Sequence, residues 1–288
     1  KRKGFEHAFG SSLNWYRGKE DWLFLGNGKD NTVAKLRLAD KPSEKTISNM
    51  TAKFSKLAKT GSKSNTKITL LIGPNKSSVY NEFLPDEMNP SDRKYITFFT
   101  HSFSEIPNLT VINPTDYLIN NKVTDEFLYW RTDTHWNQKG GYLAFKFLME
   151  KLGLEYPKVE FKLSGKTRSG DLIGLRNLNG IKDFPLSKGD DWDFNILDDS
   201  EISTEKLKGG PKTPAIWKVS NKKGLNDMTV WVTGDSFLGK IRPYIEASFK
   251  EVRYLGPWVE NINTLHIELA SSTEKPDLIL VEAVERSF

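Results

Sequence analysis

The sequence contains no cysteine. That excludes a disulfide scaffold, a thiolate nucleophile, an iron–sulfur cluster and every cysteine-based zinc site. Histidine is scarce: His7, His101, His135 and His266 are the whole supply. No apolar run approaches the roughly 18 residues that a membrane-spanning helix needs. The longest, Ile68–Gly73, is strand-sized. Basic residues exceed acidic ones by only five and are scattered. Without a basic tract, no nucleic-acid partner is expected, and the mild charge admits an acidic partner without requiring one. Lys1-Arg2-Lys3 is basic but no apolar stretch follows it, so no signal peptide is visible.

What is present is a chain of 288 residues, long enough to bury a full core without staples. Hydrophobic content is lean at 37%, yet aromatics reach 12%. A ring surplus over aliphatics has two uses: filling the core, or facing sugars.

Apolar periodicity alternates between strand and helix. Ser43 caps a helix whose apolar face runs Ile47, Met50, Phe54, Leu57, with Gly61 as its stop. A strand follows over Lys67–Ile72, closed by Gly73-Pro74. Asp92 is expected to cap a helix with Tyr95, Phe98, Phe99 and Phe103 inward, before a short strand at Leu109–Ile112. Asn137 caps another helix, with Tyr142, Phe145, Leu148, Met149 and Leu152 inward and Gly153 at its end. From Tyr156 to about Asn226 the pattern breaks down, with short strand-like pieces at Phe194–Leu197 and Ala215–Val219. This stretch, 156–226, reads as a small β-rich insertion within one catalytic domain spanning 1–288. Regular alternation then returns: strand Thr229–Thr233, helix Lys240–Phe249, strand Val252–Leu255, helix Ile262–Leu269 and strand Asp277–Val281. Strands alternating with helices predict an α/β fold, a parallel sheet with helices on both faces. Its sites lie beyond the carboxyl ends of the strands.

Two motifs meet that rule. The run Thr229-Val-Trp-Val-Thr-Gly-Asp-Ser-Phe237 carries a buried strand straight into Gly234-Asp235-Ser236. Such a turn can present a serine hydroxyl above the sheet, with Gly234 keeping the backbone tight and turn amides of Gly234, Ser236 or Phe237 aimed at an oxyanion. It can equally be an ordinary polar turn in which Ser236 caps a helix. The second motif is Tyr129-Trp130-Arg131-Thr132-Asp133-Thr134-His135-Trp136-Asn137. In an extended segment, residues two apart share a face, so Asp133 can hold one imidazole nitrogen of His135 and leave the other free. A serine nucleophile needs that arrangement. A structural His–Asp pair capping the helix is the plainer alternative. No further Asp/His cluster at ligand spacing calls for a metal, and nothing calls for a cofactor. His7, His101 and His266 read as structural or surface residues.

Asp133-Thr-His-Trp136 with Asn137 and Gly140-Gly141, together with Gly234-Asp-Ser-Phe237, resembles the signature of the alginate O-acetyltransferase AlgJ/AlgX-type family. Supporting blocks are Trp22-Leu-Phe-Leu25, Gly73-Pro-Asn-Lys-Ser-Ser-Val-Tyr80, Gly170-Asp-Leu172 and Val281-Glu-Ala-Val-Glu-Arg286. They occur in the family's order over about residues 15–288. The resemblance implies an SGNH-hydrolase-like fold whose motif order is circularly permuted, with the Asp-x-His block ahead of the Ser block. It implies Ser236 as nucleophile, His135 as base and Asp133 as its orienting partner. It further implies an extracytoplasmic enzyme that acetylates a polysaccharide, an anionic one included, with acetyl groups supplied by a membrane-bound O-acyltransferase, and an export signal or anchor outside the given chain. Gly73-Pro74-Asn75 departs from the family's more usual Pro-rich form of that block. The same triad would serve an acetylesterase, and a non-catalytic glycan-binding subunit is the reading from another class. Tyr129, Trp130, Arg131 and Trp136 flank the Asp-His pair, and Asn75 and Lys76 follow a strand end. All six are candidates for substrate contact, the rings by stacking on sugars and the arginine by binding a carboxylate. Packing of the loop and capping of the helix compete for the same side chains.

Overall fold

A computed structural model describes residues 14–39, 41–166, 169–174, 190–210 and 213–288. His7 and the basic Lys1-Arg2-Lys3 lie outside them. Eleven strands are present among the described residues: β1 (Trp15–Arg17), β2 (Leu23–Leu25), β3 (Lys67–Gly73), β4 (Leu109–Ile112), β5 (Val159–Leu163), β6 (Trp192–Ile196), β7 (Ile202–Gly210), β8 (Thr213–Asn221), β9 (Asn226–Gly234), β10 (Phe249–Pro257) and β11 (Leu278–Val284). Seven of them form the central sheet in the order β4-β3-β11-β9-β10-β8-β7. The run from β4 to β10 is parallel throughout. β8 and β7 then extend the sheet in antiparallel fashion at one edge. β1–β2 and β5–β6 are separate antiparallel pairs.

The parallel strands are near-continuous runs of Val, Ile and Leu because both of their faces are covered. Period-2 alternation divides each strand between two cores. Ile68, Leu70 and Ile72 of β3, Trp231 of β9, and Ile279, Val281 and Ala283 of β11 point to one side. There they meet helices α1 (Glu44–Lys63), α2 (Thr97–Ser104) and α5 (Leu265–Ser271). Leu71, Val230, Val232, Leu278 and Leu280 point to the other, against α3 (Gln138–Leu152) and α4 (Leu238–Ser248). Thus the expected α/β architecture is present, with an antiparallel edge that periodicity had not indicated.

Local signals account for several boundaries. Ser43 accepts a hydrogen bond from the Thr46 amide and starts α1. Asn137 accepts from the Gly140 amide at 2.9 Å and starts α3, and Gly153 ends it in the left-handed region at φ 66°. Others differ. α1 runs through Gly61 to Lys63, and Gly61 serves a close approach instead of a helix stop: an added Cβ would meet the Thr66 carbonyl oxygen at 2.7 Å. Asp92 is exposed and caps nothing. α2 begins at Thr97, whose amide and hydroxyl both turn back onto the Lys94 carbonyl. The helix expected over Ile262–Leu269 is α5, which starts three residues later at Leu265 and ends at Ser271, and a separate short helix over Trp258–Asn261 precedes it.

Candidate active site

Ser236 follows β9, Glu285 follows β11 and Asn75 follows β3, so all three sit at the carboxyl edge of adjacent parallel strands. The segment 129–137 reaches the same edge from elsewhere in the chain. It is folded back on itself by a bridge between Tyr129 and Trp136. Asn137 anchors its end through its amide donor to the Phe127 and Asp190 carbonyls at 2.6 and 2.8 Å.

Ser236 Oγ lies 2.7 Å from His135 Nε2, and His135 Nδ1 lies 2.6 Å from Asp133 Oδ1. Ser236 is exposed, whereas the Asp133 side chain is 3% exposed. Burial alone would raise the Asp133 carboxyl. The hydrogen bond and charge of the His135 ring, with the backbone amides of His135 and Asp171, outweigh it and hold the carboxyl well below the ordinary carboxylate range. An ionised carboxylate only accepts hydrogen bonds. Nδ1 therefore carries the ring proton, and Nε2 is left to accept from the Ser236 hydroxyl. The histidine is oriented further by Thr134, whose hydroxyl is 3.2 Å from Nδ1, and by the Phe237 ring, centred 4.9 Å away.

Asp171 also belongs to the site, although no chemical role for it follows from the sequence. Its carboxylate accepts from the Thr134 amide at 2.8 Å and hydroxyl at 2.6 Å, and its own amide donates to Asp133 Oδ2 at 3.2 Å. Its Oδ2 is 3.6 Å from His135 Nδ1. Spacing cannot reveal it, because 38 residues separate Asp171 from Asp133; only its place in the Gly170-Asp171-Leu172 block marked it. Asp133, His135 and Asp171 each place one potential ligand atom within 4.8 Å of the others. The contact between Nδ1 and Asp133 has hydrogen-bond length, so that nitrogen faces a proton in this arrangement.

Four of the six substrate-contact candidates are corrected. Tyr129, Trp130 and Trp136 are at most 1% exposed. Tyr129 donates its hydroxyl to the Pro74 carbonyl at 2.7 Å. Trp130 donates its indole N–H to Asp191 at 3.1 Å, and Trp136 donates its own to the Phe237 carbonyl at 3.0 Å. The rings pack the loop, and Trp136 ties the histidine segment to the serine turn. Lys76 is also buried; its Nζ donates to the carbonyls of Trp130, Arg131 and Asp133 at 3.0, 2.9 and 2.6 Å. Burial lowers its pKa to about 7 against the opposing charges of Asp133, Asp171 and Asp190. Three carbonyls use all three donors of an ammonium, so Lys76 is a latch on the loop and has none left for substrate. Arg131 and Asn75 stay half-buried. The Arg131 guanidinium lies over the Phe127 ring, 5.0 Å from its centre, and Asn75 Oδ1 accepts from Arg286 at 3.1 Å.

The oxyanion set is corrected as well. The Phe237 amide donates to Asp235 Oδ1 at 3.0 Å. Gly234 is buried as the last residue of β9, in register with Pro257. The Ser236 amide is engaged by no protein group among the described residues.

Comparison with known proteins places this geometry in context. No curated protein matches the sequence. Solved structures resemble it at low identity. The O-acetyltransferase domain of Pseudomonas putida AlgJ is 16% identical, with 95% of this chain and 91% of that one covered and a TM-score of 0.64. Bacillus cereus PatB1 with a sulfonyl adduct is 13% identical, covering 95% and 96%, with a TM-score of 0.67. Pseudomonas aeruginosa AlgX is 13% identical, covering 94% of this chain and 61% of that one, with a TM-score of 0.52. These likenesses concern the fold. The family described as the SGNH hydrolase-like domain of acetyltransferase AlgX matches residues 16–181, more than half of the sequence, and the chain belongs to that family.

Proposed function

We propose that this protein is a polysaccharide O-acetyltransferase working through Ser236, His135 and Asp133. The observation that carries the reading is the continuous hydrogen-bonded line from Ser236 Oγ through His135 to a buried, ionised Asp133. It joins residues 101 positions apart at the end of a parallel strand, and an exposed serine stands at its head.

In the first half-reaction His135 Nε2 takes the Ser236 proton as Oγ attacks the acetyl carbonyl of the donor. The bond to the donor's leaving oxygen breaks, and that oxygen takes the proton from His135. In the second, a sugar hydroxyl gives its proton to His135 and attacks the acetyl-serine, and Ser236 leaves and recovers the proton. Asp133 stays ionised and stabilises the imidazolium in both halves. The Ser236 amide is the oxyanion donor that supports this reading. The acceptor is an exported or cell-surface polysaccharide, anionic ones included, the acetyl donor is supplied by a membrane-bound O-acyltransferase, and the site of action is extracytoplasmic. One catalytic domain spanning 1–288, with 156–226 as an elaboration on it, fits this reading.

The test is intact-protein mass spectrometry after exposure to 4-nitrophenyl acetate, with Ser236→Ala beside the natural protein. An acetyl adduct confined to Ser236 is expected, and loss of the serine should cost about 10⁴-fold or more in turnover. Full turnover by Ser236→Ala defeats the assignment. With glycan present, ester appearing on the sugar supports transfer, whereas free acetate alone makes the protein an esterase.

A further inference from the structure

Glu282 is a buried acid that the two half-reactions above leave unused. It sits on β11, between β9 and β3, with no exposed surface. Its Oε2 accepts the Asp235 amide at 3.1 Å, on the residue immediately before Ser236. Its Oε1 is buried without a hydrogen-bond partner among the described residues. Two glycines make room for this carboxyl: a Cβ added at Gly73 would lie 2.9 Å from Oε1, and one added at Gly234 would lie 3.0 Å from Oε2. Asp235 completes the arrangement from the other side. Its Oδ1 accepts the Phe237 amide at 3.0 Å and its Oδ2 accepts the Val284 amide at 2.7 Å. The amides on both sides of Ser236 are thus held by carboxyl oxygens, one from β11 and one from a residue itself bonded to β11.

We propose that Glu282 is a positioning residue: with Asp235 it clamps the turn after β9 onto β11, so that the Ser236 hydroxyl stays in line with His135 Nε2. The proposal rests on Ser236 being the nucleophile. The clamp needs a neutral Glu282, because two carboxylates converging on one buried turn repel. Burial and the neighbouring Asp235 charge do hold the Glu282 carboxyl well above its usual range, against the opposing charge of Arg286. Among the described residues Tyr129, which is also buried, is a further titratable group coupled to it. Raising the pH until Glu282 ionises therefore loosens the turn from beneath the nucleophile. A residue that merely filled space between strands would carry no such alkaline limb.

Glu282→Gln separates the two roles, since it keeps an acceptor oxygen for the Asp235 amide but cannot ionise. Glu282→Met removes the acceptor at similar volume. The readouts are kcat and KM for 4-nitrophenyl acetate from pH 6 to 10, and the rate at which Ser236 is sulfonylated by phenylmethanesulfonyl fluoride. The expected result is that Glu282→Gln keeps kcat within about threefold at neutral pH and loses the alkaline fall of the natural protein. Glu282→Met should lose about 30-fold in kcat and in sulfonylation rate with KM little changed. An alkaline limb that is the same in Glu282→Gln and the natural protein overturns the proposal, as does wild-type sulfonylation of Glu282→Met. If Glu282→Met does not fold, the Gln pH profile decides alone. A natural protein that neither turns over the ester nor reacts at Ser236 overturns the acyl-transfer reading, and the clamp with it.

Discussion

Lys76 offers the sharpest separation between a substrate-binding role and a structural one. Lys76→Met keeps most of the stem that lies near Trp22 and Phe24, whose ring centres are 5.6 and 5.4 Å from Nζ. It deletes the ammonium and leaves the carbonyls of Trp130, Arg131 and Asp133 without that donor. The Arg131 carbonyl keeps the Leu23 amide at 2.9 Å and the Trp130 carbonyl keeps the Asp133 amide at 3.4 Å, so neither is orphaned. Three lost hydrogen bonds at a net of about 1 kcal/mol each, more where the acceptor is left buried and bare, and partly offset by no longer burying a charge, come to about 2–4 kcal/mol. For a chain of this size that is a fall in Tm of about 3–7 °C. The Asp133 carbonyl is one of the three, so the backbone carrying the histidine's partner relaxes and kcat falls, while KM for a small acetyl ester changes little. The assays are differential scanning calorimetry and steady-state ester hydrolysis on the same preparations. An unchanged Tm with a raised KM would refute the latch and restore Lys76 as a substrate contact.

Two further outcomes follow from the same loop. The Asp133 carboxyl is held below its unfolded value, so the stability it contributes is fully present above about pH 4 and is lost as pH falls from there toward the folded pKa. In urea titrations the natural protein should therefore exceed Asp133→Asn in stability at pH 6, and the gap should narrow by pH 3; a constant gap speaks against an ionised Asp133. Gly170→Ala places a Cβ 2.1 Å from the Thr132 carbonyl oxygen and 2.6 Å from the Asp133 nitrogen. Both neighbours are backbone and cannot swing aside, so about 1–3 kcal/mol of stability and most of the ester turnover should go; wild-type values for both would show that the 170–171 turn does not brace the site.

Much of this was legible in the residues. The strands β3, β4, β9 and β11 are apolar runs, the first three closed by Gly73-Pro74, Asn113-Pro114 and Gly234-Asp235, and a parallel sheet follows from their alternation with helices. Ser43, Asn137 and Gly153 announce helix ends through side-chain capping and left-handed backbone, both local properties. The antiparallel β7–β8 edge was not legible, since pairing partners are chosen by neighbours distant in sequence. Aromatic side chains were the least readable. Trp130 and Trp136 look alike beside a catalytic histidine whether they face sugar or core, and only burial shows that they face the core.

The sequence by itself determined which residue types are available for the proposed chemistry. Without cysteine the proposed nucleophile has to be another group, and among four histidines one carries an aspartate two residues ahead in a segment leading into a helix. It also fixed the permuted order of the two motifs. Only the tertiary structure decided which groups serve the site and which support it. Lys76 became a latch because burial confronts its ammonium with three carbonyls. The Phe237 amide left the oxyanion set because Asp235 reaches it first. Asp171 and Glu282 entered because a loop and a strand far away in the chain are folded against the triad. Residue types set what a side chain can do; which donors and acceptors are left over is set by contacts between distant segments, and no local pattern encodes those.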